Sequence, residues 1–530
     1  MRSKDFNARN FLPFQTKQSG RLFGICLLIL TFSIFAAASD DVQQVDAETT
    51  KQLLKKADKQ AKKGNFAEAE KILRRVLELS PQESKGKLNL AYVLLKQKRL
   101  LEAYDLSFEV AKNEPKNAYA FAVLGMTLLN AGNFNEAKLS LYNALQLNKK
   151  EALAWAGIGL LDFYENRIFD SIQGLRSAVY LDSDEPDFVL ALAQVAARAE
   201  EYKEAAAAYR QFLQISPLTD SDRRDRIKGL INFLEFLGGK TALYRIGSEK
   251  QTSVSLKLIK DRPVIQLKVN KSKETFNFVL DTGSGISVIS DKTAQRLKIK
   301  PVARGGRARG FGGDGKFEIV YGFLKSINIG EVAIENVPVY IRQFHASSEG
   351  IDGYIGLSLI SKFITTIDYG NSVFALVRKD VRREEKPVTD EKNAIALPLR
   401  LTTGGFLSGE VQVQGIENSL NFIVDTGASL SVISDELANM KEISRFVINE
   451  KIRVIGSAGE TEEMPLFVLP RISFGKYSRD SVKAIALDFD MINETAGFEQ
   501  AGILGGNFLK NYRLTFDFQN SKVIFVPITK

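Results

Sequence analysis

A 34-residue period in the first half of the chain constrains its fold more than any other feature. Small residues recur at one position of this period, namely Ala69, Ala103, Ala137, Ser171 and Ala205. A second position also holds small residues, namely Ala57, Ala91, Gly125, Gly159 and Ala193. A third position holds large residues, namely Phe66, Leu100, Phe134, Ile168 and Tyr202. Small residues let paired helices approach closely and large residues fill the gap after each turn, so the period predicts helix pairs stacked in a solenoid.

Five such repeats without an insertion resemble the tetratricopeptide repeat, and we place the array at 49–240. Its last part, from Thr219 to about Gly239, has apolar residues at helical spacing and is predicted to be a capping helix with a polar outer face. The resemblance implies that the array binds a peptide or a protein partner. A passive spacer or an internal packing surface is the alternative, and the sequence does not name the partner.

The first 38 residues have the features of a secretory signal. Residues 1–21 are basic, and the apolar run Leu22–Ala38 ends in small residues. We therefore predict cleavage after Ala38 and export to the periplasm or the extracellular space. The alternative is an uncleaved anchor, which would make a membrane a partner, although seventeen residues are few for a spanning helix.

Composition excludes several classes of function. The chain has one cysteine, Cys26, which lies in the leader, and one histidine, His345, with no nucleophile elbow near it. A Cys/His metal site cannot be built from these, so neither a metal nor another cofactor is expected, and carboxylates are the acid–base groups left. The net charge of +9 is concentrated partly in the leader, and no basic run contains interleaved aromatics, so nucleic acid is not an expected partner.

Beyond the array, short alternating apolar runs bounded by glycine predict β-strands. The segment FNFVLDTGSGISVIS reappears 144 residues later as LNFIVDTGASLSVIS, which aligns Asp281 with Asp425. An apolar-glycine pair and an acidic strand recur downstream at an offset of 149. A β unit has therefore been duplicated, which gives one lobe at 250–378 and a second at 394–530, joined by a charged linker at 379–393.

The two halves resemble the retropepsin-like aspartic peptidases, in the exported bacterial form, over Val254–Val377 and Ile395–Lys530. The resemblance implies an α-solenoid followed by two β-barrel lobes, with Asp281 and Asp425 as the catalytic pair. Adjacent carboxyl groups share a proton, so one takes a proton from an attacking water while the other donates to the peptide carbonyl. The sequence does not say which acid has which role.

The residues next to each acid complete the predicted site, namely Thr282, Gly283 and Ser284 in the first half and Thr426, Gly427 and Ala428 in the second. The glycines allow a tight turn beneath the carboxylates. The family pattern implies that the threonines hydrogen-bond across the lobe interface and hold the two loops together. Ser284 is expected to hydrogen-bond Asp281, whereas Ala428 cannot do this for Asp425, so we expect an asymmetric pair.

Two glycine-rich segments, Gly305–Gly322 and Ile452–Met464, are predicted to form flaps over the site. The candidate flap glycines are Gly310, Gly312, Gly313, Gly456 and Gly459. An extended peptide would bind beneath the flaps as an added strand. The first flap carries arginines and the second glutamates, namely Arg304, Arg307, Arg309, Glu460, Glu462 and Glu463. These charges indicate either a charge preference in the cleft or simply solvated hairpin tips.

Two further acids, Asp368 and Asp517, occupy matching strands and are expected to have a structural role. The linker can span roughly 45 Å, so the lobes can pair within one chain, which we favour, or between two chains.

These patterns together predict an aspartic endopeptidase that cleaves a polypeptide substrate, with a protein partner or the substrate recruited by the repeats. The alternative is a non-catalytic scaffold that binds peptides through the repeats and the protease-like lobes, and narrow processing of a recruited partner is a third possibility. The cleavage preference and the pH optimum remain open.

Overall fold

The structure is a computed structural model that describes residues 39–240, 242–310, 312, 316–344, 350–381 and 393–528. The predicted leader, His345, Gly313 and most of the linker lie outside the described residues. These residues form two compact units that divide between positions 158 and 159, with 217–220 belonging to the first unit. None of the helices in the described ranges has the length and apolarity needed to cross a membrane.

Helices joined by short turns form the first part of the chain. They are α1 Ser39–Lys62, α2 Phe66–Leu79, α3 Ser84–Lys96, α4 Leu100–Asn113, α5 Ala118–Asn130, α6 Phe134–Leu147, α7 Ala152–Tyr164, α8 Ile168–Leu181, α9 Pro186–Arg198, α10 Tyr202–Ile215 and α11 Ser221–Gly238. The small residues at the periodic positions bring the paired helices together. A Cβ added to Gly125 would lie 2.7 Å from Leu141, and one added to Gly159 would lie 2.7 Å from Leu175. The predicted repeat array is therefore confirmed.

Helix α11 differs from the predicted capping helix with a polar outer face. It packs against the first β lobe, where the rings of Phe233 and Tyr321 are 4.7 Å apart and those of Phe236 and Phe323 are 5.3 Å apart. Phe233 and Leu237 are buried in the resulting apolar cluster. Helix α11 has one apolar side that faces the first lobe and another that faces the array. It therefore joins the helical repeats of the second unit to the first β lobe.

The first lobe contains eleven strands and two short helices within its described residues. They are β1 Arg245–Ile246, β2 Gln251–Ile259, β3 Arg262–Val269, β4 Phe276–Leu280, β5 Ser287–Ser290, α12 Asp291–Arg296, β6 Ala303–Arg309, β7 Lys316–Ile329, β8 Val332–Arg342, β9 Gly353–Ile355, α13 Leu357–Ile360, β10 Phe363–Asp368 and β11 Val373–Arg378. Strands β3, β4, β9, β5, β8 and β7 follow one another, and pairing of β3 with β7 closes the barrel.

The second lobe repeats this plan. Its elements are β12 Ile395–Pro398, β13 Arg400–Leu401, β14 Leu407–Val413, β15 Leu420–Val424, β16 Ser431–Ser434, α14 Asp435–Asn439, α15 Lys441–Ser444, β17 Val447–Ile452, β18 Met464–Phe474, β19 Tyr477–Leu487, α16 Asp490–Ala496, β20 Gly502–Leu504, α17 Gly506–Leu509, β21 Tyr512–Asp517 and β22 Lys522–Pro527. Strands β14, β15, β20, β16, β19 and β18 follow one another, and β14 pairs with β18. The predicted pair of β-barrel lobes is thus confirmed.

A shared sheet joins the two lobes within one chain, with the strand order β12, β22, β21, β10, β11, β2. Strand β10 of the first lobe pairs antiparallel with β21 of the second, and the hydroxyls of Thr366 and Thr515 are 3.0 Å apart. Asp368 accepts hydrogen bonds from the backbone and side chain of Asn371, and Asp517 accepts the same pair from Asn520. Both acids therefore hold the turns that follow these central strands.

Candidate active site

Each candidate acid follows a buried central strand of its barrel. Strand β4 leads into Asp281 and β15 leads into Asp425. The amide of Asp281 donates to the Ile355 carbonyl and that of Asp425 donates to the Leu504 carbonyl, each at 3.0 Å. Since Ile355 and Leu504 end the short strands β9 and β20, the two barrels present their acids in the same way.

Thr282 and Thr426 connect the two loops across the lobe interface, and both side chains are fully buried. The Thr282 hydroxyl donates to the carbonyl of Val424 at 2.6 Å, and the Thr426 hydroxyl donates to that of Leu280 at 2.7 Å. Each hydroxyl also accepts the backbone N–H of the other threonine, at 3.1 and 3.2 Å. These reciprocal bonds satisfy buried polar groups in both lobes, so they fix the position of one loop relative to the other.

Gly283 and Gly427 leave the space in which the two carboxyl groups meet. A Cβ added to Gly427 would lie 2.6 Å from the Asp281 Cγ, and a Cβ added to Gly283 would overlap the Asp425 carboxyl group. Neither glycine has a positive φ. Both glycines do lie in the predicted turns, but without a positive φ these turns do not themselves require glycine. Close approach requires it, because each carboxyl group lies against the glycine of the opposite lobe.

The two acids differ in their hydrogen bonds. Asp281 accepts the N–H of Gly283 at 2.9 Å, whereas Asp425 accepts those of Gly427 at 2.8 Å and Ala428 at 3.1 Å. Burial and then the neighbouring charge of Asp425 raise the pKa of Asp281 well above its ordinary value. Burial also raises the pKa of Asp425, but its backbone N–H donors oppose this rise. Both carboxyl groups are therefore harder to ionise than usual, and the backbone donors favour the ionised form of Asp425 in particular.

Ser284 does not supply the asymmetry in the way the sequence predicted. Its hydroxyl donates to the Ile286 carbonyl at 2.8 Å, not to Asp281. Serine hydroxyls readily hydrogen-bond to backbone groups of neighbouring residues, and here this local bond replaces the predicted bond to Asp281. The asymmetry arises instead from the backbone, since Ala428 donates to Asp425.

Comparison with known families agrees with this architecture. Residues 265–359 and 409–508 match the family model described as aspartyl protease. Residues 60–126 and 170–218 match two models described as tetratricopeptide repeat. The chain carries two aspartyl protease-family domains behind tetratricopeptide repeats. It has no match among the curated proteins.

Two solved structures are similar to part of the chain. A tetratricopeptide-repeat protein of Thermus thermophilus is 21% identical, with 35% of this chain and 99% of that chain covered and a TM-score of 0.30. The PilF protein of Pseudomonas aeruginosa is 20% identical, with 32% of this chain and 77% of that chain covered and a TM-score of 0.26.

The candidate flaps of the two aspartyl protease-family domains touch each other. Gly310 and Gly312 of the first flap lie against Ser457 and Gly459 of the second, so closely that a Cβ on either of the first two would overlap them. The Gly456 N–H donates to the Gly459 carbonyl at 2.8 Å and closes the second hairpin turn. Gly312 thus allows the two hairpin backbones to touch, and Gly310 makes room for the Ser457 side chain.

Two of the charged flap residues, Arg304 and Glu463, form ion pairs within their own hairpins. Arg304 lies 3.8 Å from Glu318, and Arg453 lies 3.8 Å from Glu463, with all four side chains more than half exposed. Exposed pairs of this kind belong to solvated hairpin edges. They favour the hairpin-tip interpretation over a charge preference in the cleft.

Three residues near the pair were not predicted from the sequence: Arg262, Tyr354 and Arg342. The Arg262 Nη1 donates to the Tyr354 hydroxyl at 3.3 Å, and the positive charge of Arg262 opposes the rise in the Asp281 pKa. Arg342 lies with its guanidinium 4.2 Å from the ring centre of Phe317 in the first flap and donates to the Ser457 carbonyl in the second. Alignment of the duplicated halves would have distinguished these residues, because the second half has apolar residues at the matching positions.

No cluster of three or more His, Cys, Asp or Glu side chains in the described ranges has the geometry to hold a metal ion.

Proposed function

We propose that the protein is an aspartic endopeptidase that hydrolyses peptide bonds with a water activated between Asp281 and Asp425. The observation that supports this most strongly is the contact of each carboxyl group with the glycine of the opposite lobe. Two carboxyl groups confined in this way hold one proton between them, which provides a base and an acid at one place.

The hydrogen bonds suggest a division of roles. Ionised Asp425, supported by two backbone N–H groups, takes a proton from the water as the water oxygen attacks the peptide carbonyl carbon. Protonated Asp281 donates its proton to the carbonyl oxygen, which gives a neutral tetrahedral intermediate. The C–N bond then breaks as Asp425 passes its proton to the leaving nitrogen, and the proton on the oxygen returns to Asp281 as the carbonyl re-forms.

The test is cleavage of a mixed peptide pool between pH 3 and 8, followed by mass spectrometry. Asp281→Asn and Asp425→Asn are expected to lose cleavage, whereas Asp480→Asn, an exposed acid paired with Arg471, is expected to keep it. Equal cleavage by all the variants would disprove the assignment. Binding of peptides with no cleavage by the wild type would instead favour the non-catalytic scaffold.

We propose further that the repeats recruit the substrate or a protein partner. Support comes from α8, where Phe169 is 75% exposed and Tyr180 is 89% exposed. Large aromatic side chains on a surface are typical anchors of protein interfaces. The double variant Phe169→Ser with Tyr180→Ser should lose cross-linked partners in cells without losing cleavage of short peptides, and unchanged cross-linking would refute this role for α8.

Export is the third proposal, and it rests on the basic and apolar leader alone. N-terminal sequencing of the protein from its own cells should give Ser39 as the first residue. An intact leader in a membrane fraction would favour the anchored alternative.

A further inference from the structure

The duplicated register allows the walls of the two lobes to be compared position by position. Strands β5 and β8 place Ser290 opposite Arg342, and the equivalent strands β16 and β19 place Ser434 opposite Leu487. Arg342 in the first lobe therefore corresponds to Leu487 in the second.

Two more positions follow in the same way. Strand β4 pairs Val279 with Tyr354, while β15 pairs Ile423 with Ile503, so Tyr354 corresponds to Ile503. The pairings of β3 with β4 and of β14 with β15 extend the register to the start of the barrel, where Arg262 corresponds to Phe406. The three positions are polar or cationic in the first lobe and apolar in the second.

The second lobe uses these positions to build an apolar wall. Leu487 and Ile503 are buried in one cluster, and Phe406 packs against it. Ala428, in the loop that contains Asp425, and Met464, which begins the return strand of the second flap, also pack against this cluster. Apolar side chains thus run from the candidate acid to the flap of this lobe.

The first lobe has two guanidinium groups there instead. Arg262 reaches the Tyr354 hydroxyl, and its buried Nε has no hydrogen-bond partner among the described residues. Arg342 touches both flaps, and the charge of Asp281 acts on it. In the described part of the chain neither arginine forms an ion pair with a carboxylate. Half-buried cations without a counter-ion are costly, and a carboxylate is the ligand that fits the planar guanidinium best.

We propose that the cleft selects peptides with an acidic side chain on the first-lobe side and a large apolar side chain on the second-lobe side. The acidic side chain binds Arg342, with Arg262 behind it, and the apolar one packs on the wall that contains Leu487. In the structure, where the flaps meet, Arg342 donates to the Ser457 carbonyl. When a peptide binds, Arg342 donates to the carboxylate of the peptide instead. This inference rests on the proposed function for its cleft, and it deepens that proposal by naming the substrate class.

The test uses octapeptides with a reduced, non-cleavable central bond, in which Glu or Gln occupies each position in turn, together with the cleavable amide forms. The wild type should bind the Glu peptide more tightly than its Gln partner at one position, by roughly tenfold or more, because a hydrogen bond to a charged group is at stake. Arg342→Leu, which installs the residue of the other lobe, should remove this preference. Arg342→Lys should keep part of it, and Arg471→Leu, an exposed arginine in an ion pair, should keep all of it.

The outcomes separate the two proposals. A Glu preference that depends on Arg342, but without cleavage of any amide peptide, would support the inference and refute the peptidase. Equal binding of Glu and Gln peptides at every position, a preference unchanged in folded Arg342→Leu, or no binding of any peptide would overturn the inference. Among the cleavable peptides, cleavage sites at bonds with no large apolar residue on the side opposite the Glu would overturn the proposal that the second lobe binds an apolar side chain.

Discussion

Gly427 provides the sharpest test of how the acid pair is built. A Cβ at this position would lie 2.6 Å from the Asp281 Cγ, while ordinary contacts of a Cβ begin at 3.4 Å. The Asp281 carboxyl group must therefore move by about 0.8 Å in Gly427→Ala, at a cost of roughly 1–3 kcal/mol for overpacking. A misplacement of about 1 Å at a reacting group costs roughly 100-fold in rate. We expect Gly427→Ala to fold and to lose about 100-fold in kcat/KM on a cleavable peptide.

The matched control is Gly285→Ala in the loop of the first lobe. Its added Cβ would lie 3.3 Å from the Gly404 carbonyl oxygen, which a small shift relieves, so activity should stay within about threefold of the wild type. Thermal unfolding of both variants shows whether each is folded under the assay conditions. If folded Gly427→Ala keeps a wild-type rate, the close approach of glycine and carboxyl group does not set the geometry of the pair, and the reasoning fails.

Three further predictions concern stability. The folded pKa of Asp281 is raised above its ordinary value of 3.8, so the stability that this group contributes is present at low pH and lost as the pH rises through the raised pKa. Asp281→Asn should therefore raise the Tm relative to the wild type at pH 7 but not at pH 3, and an equal effect at both pH values would contradict this. Thr426→Val leaves two buried groups of the first lobe, the Thr282 N–H and the Leu280 carbonyl, without their partner and should lower the free energy of unfolding by about 1–3 kcal/mol, with Thr426→Ser largely neutral in the same urea titration. Phe233→Ala should cost about 3–5 kcal/mol because α11 packs on the first lobe through this ring, whereas Phe169→Ala, at an exposed site, should be near zero in the same titration.

The sequence predicted the parts of this protein that repeat. The 34-residue period indicates helix pairs because each repeat makes the same contacts with its neighbours. Gly125 contacts Leu141 in the same manner as Gly159 contacts Leu175. The two DTG segments report a pair of barrels for the same reason, since a duplicated unit keeps its local packing.

Contacts between different parts of the fold were harder to predict. The apolar residues of α11 indicated a helix, but not that Phe233 would face Tyr321 of a β lobe, because periodicity identifies an apolar face without identifying what covers it. Ser284 had a carboxylate and a carbonyl within reach, and the sequence does not rank two acceptors. Gly283 lies in the expected turn, but the reason for glycine there is Asp425, which is 142 residues away in the chain.

Duplication explains why the most informative residues are those that do not repeat. Two identical lobes would form a symmetric cleft, with equal acids and equal walls. Here the Ala428 N–H donates to Asp425, and the equivalent position in the first lobe has a serine whose hydroxyl turns away to Ile286. The walls differ as well, with Arg342 in one lobe where Leu487 stands in the other. Once both lobes are in one chain each can change alone, which under the proposed function assigns acid and base to separate residues and gives a bound peptide one direction in the cleft.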